Sequence, residues 1–285
     1  MSCDTLFEVV DQGKKKEIKN LINSGCSINE KDKNGNTPLH IACVKSKIGL
    51  VKLLLQKGAS IDLQNNRGDT PLHVACIFEY KNIVKLLLQK GASTDLQNNK
   101  GYTPLHLAGE RNSVDIAKLL LEKGASTDLQ QIKGDTPLHI ACILNHVDIA
   151  KLLIDNRAST DLQNNKGNTP LHLVCFRNYV DIAKLLLQRG ASFFVENNDR
   201  KTPIQLAQEF SPEIDRIIQS IGPVSPPAPS APAPISPPPP GPVATARVDD
   251  APIVRGGRIK RKTNKKRNQT RKRKTNKKYN YHKQS

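Results

Sequence analysis

The residues best suited to chemistry in this chain are histidines and cysteines placed three positions apart. His40 and Cys43 lie on one face of a predicted helix, and the same pair recurs at His73/Cys76, His139/Cys142 and His172/Cys175. Imidazole and thiolate are ligands that zinc prefers, so each pair suggests half of a metal site. A zinc site needs four converging ligands, however, and these pairs are spread evenly along the sequence. The pattern therefore favours a structural role for each residue over a metal centre.

The interval between the pairs belongs to a larger repeating unit. Thr-Pro-Leu-His begins at Thr37, Thr70, Thr103, Thr136 and Thr169, always at the same interval, and a degraded copy, Thr-Pro-Ile-Gln, begins one interval later at Thr202. Lys-Leu-Leu-Leu and Gly-Ala-Ser recur in the same units. A period of this size is typical of a stacked array, in which each unit buries its apolar face against its neighbours.

The elements of one unit follow from local physics. Asn34-Gly35, Asn66-Arg67-Gly68 and Asn99-Lys100-Gly101 stand before the first three Thr-Pro pairs and predict turns, since Gly accepts positive φ. Thr37 is a suitable helix N-cap, and Pro38 suits the first helical position, where its missing N–H costs nothing. Apolar residues at helical spacing predict a second helix: Ile48, Val51, Leu54 and Leu55. Gly58 fits the left-handed position just past that helix. Arg157 stands at this position in the fourth unit, so either Arg157 takes the left-handed conformation or Asn156 shifts to absorb it.

The Thr-Pro-Leu-His-x-Ala pattern at a 33-residue period resembles the ankyrin repeat. The resemblance covers about residues 1–221 and implies an all-α, ankyrin-repeat solenoid. It predicts an N-terminal capping repeat at 1–33, five full repeats at 34–66, 67–99, 100–132, 133–165 and 166–198, and a C-terminal capping repeat at 199–221. It also implies that each imidazole links its own Thr hydroxyl to backbone groups between neighbouring repeats.

The cysteines of the repeats are expected to be free, mostly buried thiols. Packed helices lie about 8–10 Å apart, whereas a disulfide needs Cα atoms within about 7 Å. Gly109 takes the cysteine position in the third unit, so this position requires a small residue and not specifically a thiol. We therefore expect no disulfide between layers, no metal and no cofactor.

The sequence indicates a binding protein rather than an enzyme. It has no Gly-rich phosphate loop, no metal cluster and no Ser/His/Asp set outside the repeat pattern. The resemblance implies a monomeric scaffold that binds a protein on a long concave face formed by turn tips and first helices. Positions that differ between otherwise similar units are the candidates for recognition: Asp69, Tyr102, Asp135 and Asn168 at turn tips, and Phe78, Arg111, Leu144, Phe176 and Arg177 at first-helix ends. Aromatic and Arg side chains are enriched where binding energy concentrates. The alternative is that these positions vary freely and the large residues pack against loops.

The composition changes sharply after the repeats. Proline makes up two fifths of the segment between positions 223 and 252. We therefore predict a disordered, extended linker at 222–252. No basic residue accompanies its PxxP spacings near Pro237, which favours a spacer over a docking site.

A basic tail at 253–285 follows and is predicted to be disordered when free. Residues 251–285 contain 15 Lys and Arg and no acidic residue, so the chain's net charge of +18 leaves only +3 for residues 1–250. Four interpretations compete: a bipartite nuclear-import signal, direct DNA or RNA binding, an anionic membrane surface, and a solubilising segment. The membrane is disfavoured because the tail has no apolar anchor or lipidation site. Residues expected to contact nucleic acid or an import receptor are Lys260, Arg261, Lys262, Lys265, Lys266, Arg267, Arg271, Lys272, Arg273 and Lys274.

Two classes of function stay open at this point. In the first, the array binds a protein and the tail localises the complex. In the second, the protein binds nucleic acid mainly through the tail, and the array is a spacer or assembly surface. The array occupies most of the chain, which favours the first. Because neither a secretory signal nor a membrane-spanning run is visible, we expect an intracellular chain, with the nucleus favoured over the cytoplasm.

Overall fold

The structure is a computed structural model that describes residues 5–221. This part of the chain contains fourteen α-helices and no strand, which confirms the predicted all-α solenoid. The helices are α1 (Leu6–Gln12), α2 (Lys15–Asn23), α3 (Pro38–Val44), α4 (Ile48–Gln56), α5 (Pro71–Ile77), α6 (Lys81–Gln89), α7 (Pro104–Glu110), α8 (Val114–Glu122), α9 (Pro137–Leu144), α10 (Val147–Asp155), α11 (Pro170–Arg177), α12 (Val180–Gln188), α13 (Pro203–Phe210) and α14 (Pro212–Ile221). Each odd-numbered helix and the one after it form an antiparallel pair, and the seven pairs are the layers of the stack.

The first helix of each layer from α3 to α13 begins as the sequence predicts. In the second repeat, Thr70 has extended dihedrals (φ −85°, ψ 166°) and Pro71 is the first helical residue. The Thr70 hydroxyl oxygen accepts a hydrogen bond from the backbone N–H of His73 at 3.3 Å. This bond satisfies one of the N–H groups that a helix start leaves without a partner.

The first helices of five layers are followed by a non-glycine residue in the left-handed region. These residues are Ser46, Glu79, Asn112, Asn145 and Asn178, with φ between 54° and 58°. The sequence did not reveal these positions because glycine, the usual marker of positive φ, is absent from all five. Asn tolerates this conformation better than most residues, whereas Ser46 and Glu79 do so less readily.

The core is a continuous apolar layer between neighbouring helix pairs. Leu39, Ala42, Val51 and Leu54 are fully buried, and their equivalents repeat the pattern in later layers. Neighbouring first helices contact each other more extensively than neighbouring second helices do. The layers are therefore closer together on the first-helix side, which makes that side concave.

The cysteine position of the repeat is a small buried pocket. Cys43, Cys76, Cys142 and Cys175 are free and fully buried, as expected. A Cβ added at Gly109 would lie 3.6 Å from the nearest atom, the carbonyl oxygen of Pro137, which is an ordinary contact. Burial raises the pKa of the Cys175 thiol to about 12 and that of the other three thiols still further. These thiols therefore stay protonated at neutral pH.

Candidate protein-binding surface

The turn tips are joined from layer to layer by ladders of hydrogen bonds. The backbone N–H of Asn99 donates to the carbonyl of Arg67 at 3.0 Å, and its side-chain amide donates to the carbonyl of Asn66 at 2.9 Å. The side-chain amide of Gln97 donates to the carbonyls of Gly101 and Gln130, both at 3.0 Å. Equivalent bonds recur in successive layers along the array. The tips therefore form a continuous strip along one edge.

A glycine at every tip before the last layer makes this close stacking possible. Gly68 has φ 74°, and a Cβ there would lie 2.6 Å from the backbone nitrogen of Asn99 in the next layer. Gly35, Gly134 and Gly167 meet the next layer in the same way. Arg200 takes the equivalent position in the last layer with φ 57°. A side chain is accommodated there because, within residues 5–221, no further repeat packs on that tip.

The candidate residues at the turn tips are engaged within the stack. Asp69 and Asp135 are buried, and the Asp69 carboxylate accepts a hydrogen bond from the Asn98 side chain at 2.8 Å. Asp135 and Asn168 accept the corresponding bond from the next layer at 2.7 and 2.8 Å. Tyr102 is half-buried beside the imidazole of its own repeat, with ring centroids 5.7 Å apart. A partner contact at these four residues stays a prediction.

The histidines connect each layer to the next, which confirms the predicted link. Nδ1 of His73 accepts from the Thr70 backbone N–H at 3.2 Å and lies 2.8 Å from the Thr70 hydroxyl. Its Nε2 lies 2.9 Å from the Tyr102 carbonyl. Because a carbonyl oxygen only accepts, Nε2 must carry the proton and Nδ1 must be bare. The other four histidines have the same arrangement: His40, His106, His139 and His172.

Burial keeps these imidazoles neutral. It lowers the pKa of all five histidines, and the carbonyl that accepts from Nε2 only partly offsets this effect. The pKa of His106 falls to about 4. A proton on Nδ1 would also place a donor against the Thr N–H. The residues that the structure describes contain no cluster of three or more His, Cys, Asp or Glu side chains suited to holding a metal ion.

The candidate residues at the first-helix ends are exposed. Phe78, Leu144 and Phe176 are 46%, 42% and 58% exposed, and Arg111 and Arg177 are exposed beside them. The ring of Phe78 stacks on Tyr80, with centroids 5.8 Å apart and planes inclined by 13°. All five side chains are therefore presented to solvent at the end of a first helix.

One exposed aromatic residue of this surface was missed by the sequence reasoning. Phe210 is 41% exposed, and its ring meets that of Phe176 edge-on at 5.1 Å between centroids. It lies one repeat interval after Arg177, at the equivalent position of the degraded sixth copy. Counting one repeat interval from Arg177 into the sixth copy would have identified Phe210 as a candidate.

A family model for ankyrin repeats (three copies) matches the chain in overlapping segments: residues 6–98, 47–131, 80–164, 124–197 and 145–218. The chain belongs to the ankyrin repeat family. Among solved structures, the chain is similar to the crystal structure of the ankyrin repeat domain of Bcl-3, described as a unique member of the IκB protein family. The TM-score is 0.70 at 28% sequence identity, over 75% of this chain and 97% of that chain. A search of curated proteins finds no match.

None of the described helices has the length and apolar character needed to span a membrane. The predicted linker and basic tail, including the cationic clusters around Lys260 and Arg271, lie outside the described residues.

Proposed function

We propose that this ankyrin repeat protein is a non-enzymatic scaffold that binds a partner protein in its concave groove, mainly at the first-helix ends. The observation that supports this is the exposure of Phe78, Leu144 and Phe176 beside Arg111 and Arg177, at positions that vary between otherwise similar layers. Exposed aromatic and Arg side chains in a concave setting are typical of residues that dominate binding energy. The buried histidines and cysteines serve the stack, which leaves these ends as the variable surface.

The test compares two triple variants of the full chain in affinity capture from cell lysate. Changing Phe78, Arg111 and Phe176 to Ala should abolish capture of the partner, with the melting temperature little changed. The matched control changes three exposed residues of the second helices, Lys85, Lys118 and Lys151. Capture retained by the first variant, or lost equally by both, would place the contact elsewhere on the chain.

We also infer a localising role for the basic tail, with the nucleus as its destination. The supporting observation is compositional: 15 of the chain's 18 net positive charges lie in residues 251–285. Lys260-Arg261-Lys262 and Arg271–Lys274 are spaced as in a bipartite import signal. Residues 255–285 fused to an inert reporter should carry it into the nucleus of a eukaryotic cell. A reporter that stays cytoplasmic would exclude import and leave polyanion binding or solubilisation as the role of the tail.

A further inference from the structure

The exposed apolar surface of the array is concentrated at the first-helix ends. Seven large apolar side chains are exposed in the part of the chain that the structure describes, and four of them lie at these ends: Phe78, Leu144, Phe176 and Phe210. Scattered single apolar residues are normal on a protein surface, whereas a concentration of them along one groove indicates an interaction site.

These ends form a row in which apolar and cationic residues alternate. At the interval of the repeat, five consecutive layers present Phe78, Arg111, Leu144, Arg177 and Phe210. We call these five residues the alternating row. Phe176 packs edge-on against Phe210 and enlarges the last apolar position. Tyr80 supports the first apolar position by stacking on Phe78.

The two cations of the row are available to a partner. Neither Arg111 nor Arg177 has a carboxylate within salt-bridge distance among the described residues. The equivalent residue of the preceding layer, Lys45, is already paired with Asp11 at 2.7 Å. The row of residues available to a partner therefore starts at Phe78. A carboxylate brought to either Arg would form a charge-assisted, bidentate hydrogen bond.

The opposite side of the groove is also cationic. Three turn tips present an exposed lysine with no carboxylate within salt-bridge distance among the described residues: Lys100, Lys133 and Lys166. A fourth tip presents Arg67, which is already paired with Asp69 at 3.2 Å. Three exposed carboxylates lie beside the alternating row. Glu79 accepts a hydrogen bond from the Ser113 hydroxyl at 2.7 Å, Glu209 is paired with Lys201 at 3.3 Å, and Glu110 lies next to Arg111. The surrounding charge therefore favours an acidic partner over a basic one.

The layer spacing matches one backbone conformation closely. Packed helices lie about 8–10 Å apart. A polyproline II segment has three residues per turn and a rise of about 3.1 Å, so one turn advances about 9 Å and every third side chain points the same way. In a β-strand, residues three apart point to opposite faces. A partner in polyproline II conformation would thus present one side chain to each layer.

We propose that the alternating row binds a polyproline II segment of a partner protein whose apolar and acidic side chains alternate at every third residue. This rests on the proposed protein-binding function and adds the chemistry of the partner. Five layers correspond to about 13 residues of such a segment. The chain's own proline-rich segment does not fit this description, because it has no carboxylate between residues 223 and 248. Single-stranded nucleic acid fits less well, because it carries a charge on every nucleotide and Leu144 offers no ring for stacking.

The test measures the affinity of the full chain for two synthetic peptides of that length by fluorescence anisotropy. The patterned peptide has Leu at positions 1, 7 and 13, Glu at positions 4 and 10, and Pro, Ala and Ser elsewhere. The permuted peptide has the same composition with its two Glu adjacent. The basic tail attracts both peptides equally because their charges are equal, so the ratio of the two dissociation constants isolates the alternating row. We expect the patterned peptide to bind at least tenfold more tightly.

Variants of the chain then locate the site. Both Arg111→Ala/Arg177→Ala and Phe78→Ser/Leu144→Ser should bring the ratio close to one. The charge-matched control Lys118→Ala/Lys151→Ala, on the second helices, should leave the ratio of dissociation constants unchanged. Ile221→Ser, which removes an exposed apolar side chain away from the row, should also leave the ratio unchanged. Circular dichroism and melting temperatures establish that each variant is folded.

Three outcomes would overturn the proposal. The wild-type chain could bind both peptides equally, or the row variants could keep the ratio. In the third outcome, the chain does not discriminate between the peptides but binds a short single-stranded oligonucleotide. Its affinity for that oligonucleotide then falls in Arg111→Ala/Arg177→Ala and is unchanged in Lys118→Ala/Lys151→Ala. If capture of a protein partner is still lost with the Phe78/Arg111/Phe176 variant, the binding function stands and only the chemistry of the partner is wrong.

Discussion

Arg157 occupies a backbone conformation that favours glycine. Its φ is 65°, which is one of the two possibilities that the sequence leaves open, and the equivalent Gly58, Gly91, Gly124 and Gly190 have φ between 80° and 86°. A Cβ at these glycines meets no atom within 4 Å, so a side chain fits and only the backbone is strained. The left-handed region costs an L-residue about 1–2 kcal/mol. Greater freedom of glycine in the unfolded chain offsets part of this, by about 0.5–1 kcal/mol.

We therefore expect Arg157→Gly to raise the free energy of unfolding by about 0.5–1 kcal/mol. Urea unfolding followed by circular dichroism measures this. The control is Arg157→Ala, which removes the side chain but keeps the strained φ, and it should change stability little. A gain with alanine as large as that with glycine would trace the effect to the side chain instead of the backbone.

At the scale of elements, the turn-tip glycine and the second-helix glycine serve different purposes. Both Gly68 (φ 74°) and Gly58 (φ 86°) are left-handed, but only Gly68 approaches the backbone of the next layer. Gly58→Ala should cost about 0.5–1 kcal/mol, because the greater freedom of glycine in the unfolded chain offsets part of the backbone strain. Gly68→Ala should cost at least about 1 kcal/mol more, because the added methyl group overpacks the contact with Asn99.

The difference between the two unfolding free energies is the quantity that tests this. Equal losses would mean that the layers separate at the tip without cost. A second comparison comes from the last layer, where Arg200 occupies the tip position and no further repeat follows within the described residues. Arg200→Ala should therefore leave the array as stable as before.

The sequence predicts a structural feature correctly when the residues that determine that feature are close to each other in the chain. The Thr70–Pro71 helix start and the glycine at Gly58 follow from rules that act within a few residues, and both were predicted correctly. The burial of Asp69 was not predicted, because its partner Asn98 belongs to the next layer. The left-handed Glu79 was missed because its residue type gives no hint of positive φ. Phe210 was missed because the copy that contains it lacks the complete motif.

At the scale of the whole molecule, the five buried histidines couple stability to pH. Burial lowers their pKa below the unfolded value near 6.5, so the unfolded chain binds more protons in the acid range. Their contribution is fully present above about pH 6.5 and is lost as the pH falls toward the folded values, about 4 for His106. Each histidine contributes up to about 1.4 kcal/mol per pH unit in this window.

We expect the free energy of unfolding to fall steeply between pH 6.5 and 5, as measured by urea unfolding at a series of pH values. The sixth copy supplies a substitution that does not titrate: the Gln205 side-chain oxygen accepts from the Thr202 N–H at 2.9 Å. His73→Gln should lower stability at pH 7.5 by about 1 kcal/mol through the lost bond to Tyr102. It should also reduce the acid slope by about a fifth. An unchanged slope would mean that groups other than these imidazoles govern acid unfolding.

The last prediction concerns the division of labour between array and tail. Residues 253–285 carry 15 positive charges and the rest of the chain only +3 net, so nucleic-acid binding by the full chain should come from the tail and be indifferent to sequence. Counterion release drives such binding. If about half of the charges meet phosphates, log affinity should fall against log salt with a slope of about −5 to −7. A chain truncated after Pro252 keeps every described helix and should bind a DNA duplex weakly in the same titration. If it binds as tightly as the full chain, the concave face itself contacts nucleic acid, and a scaffold with a separate localising tail is the wrong model.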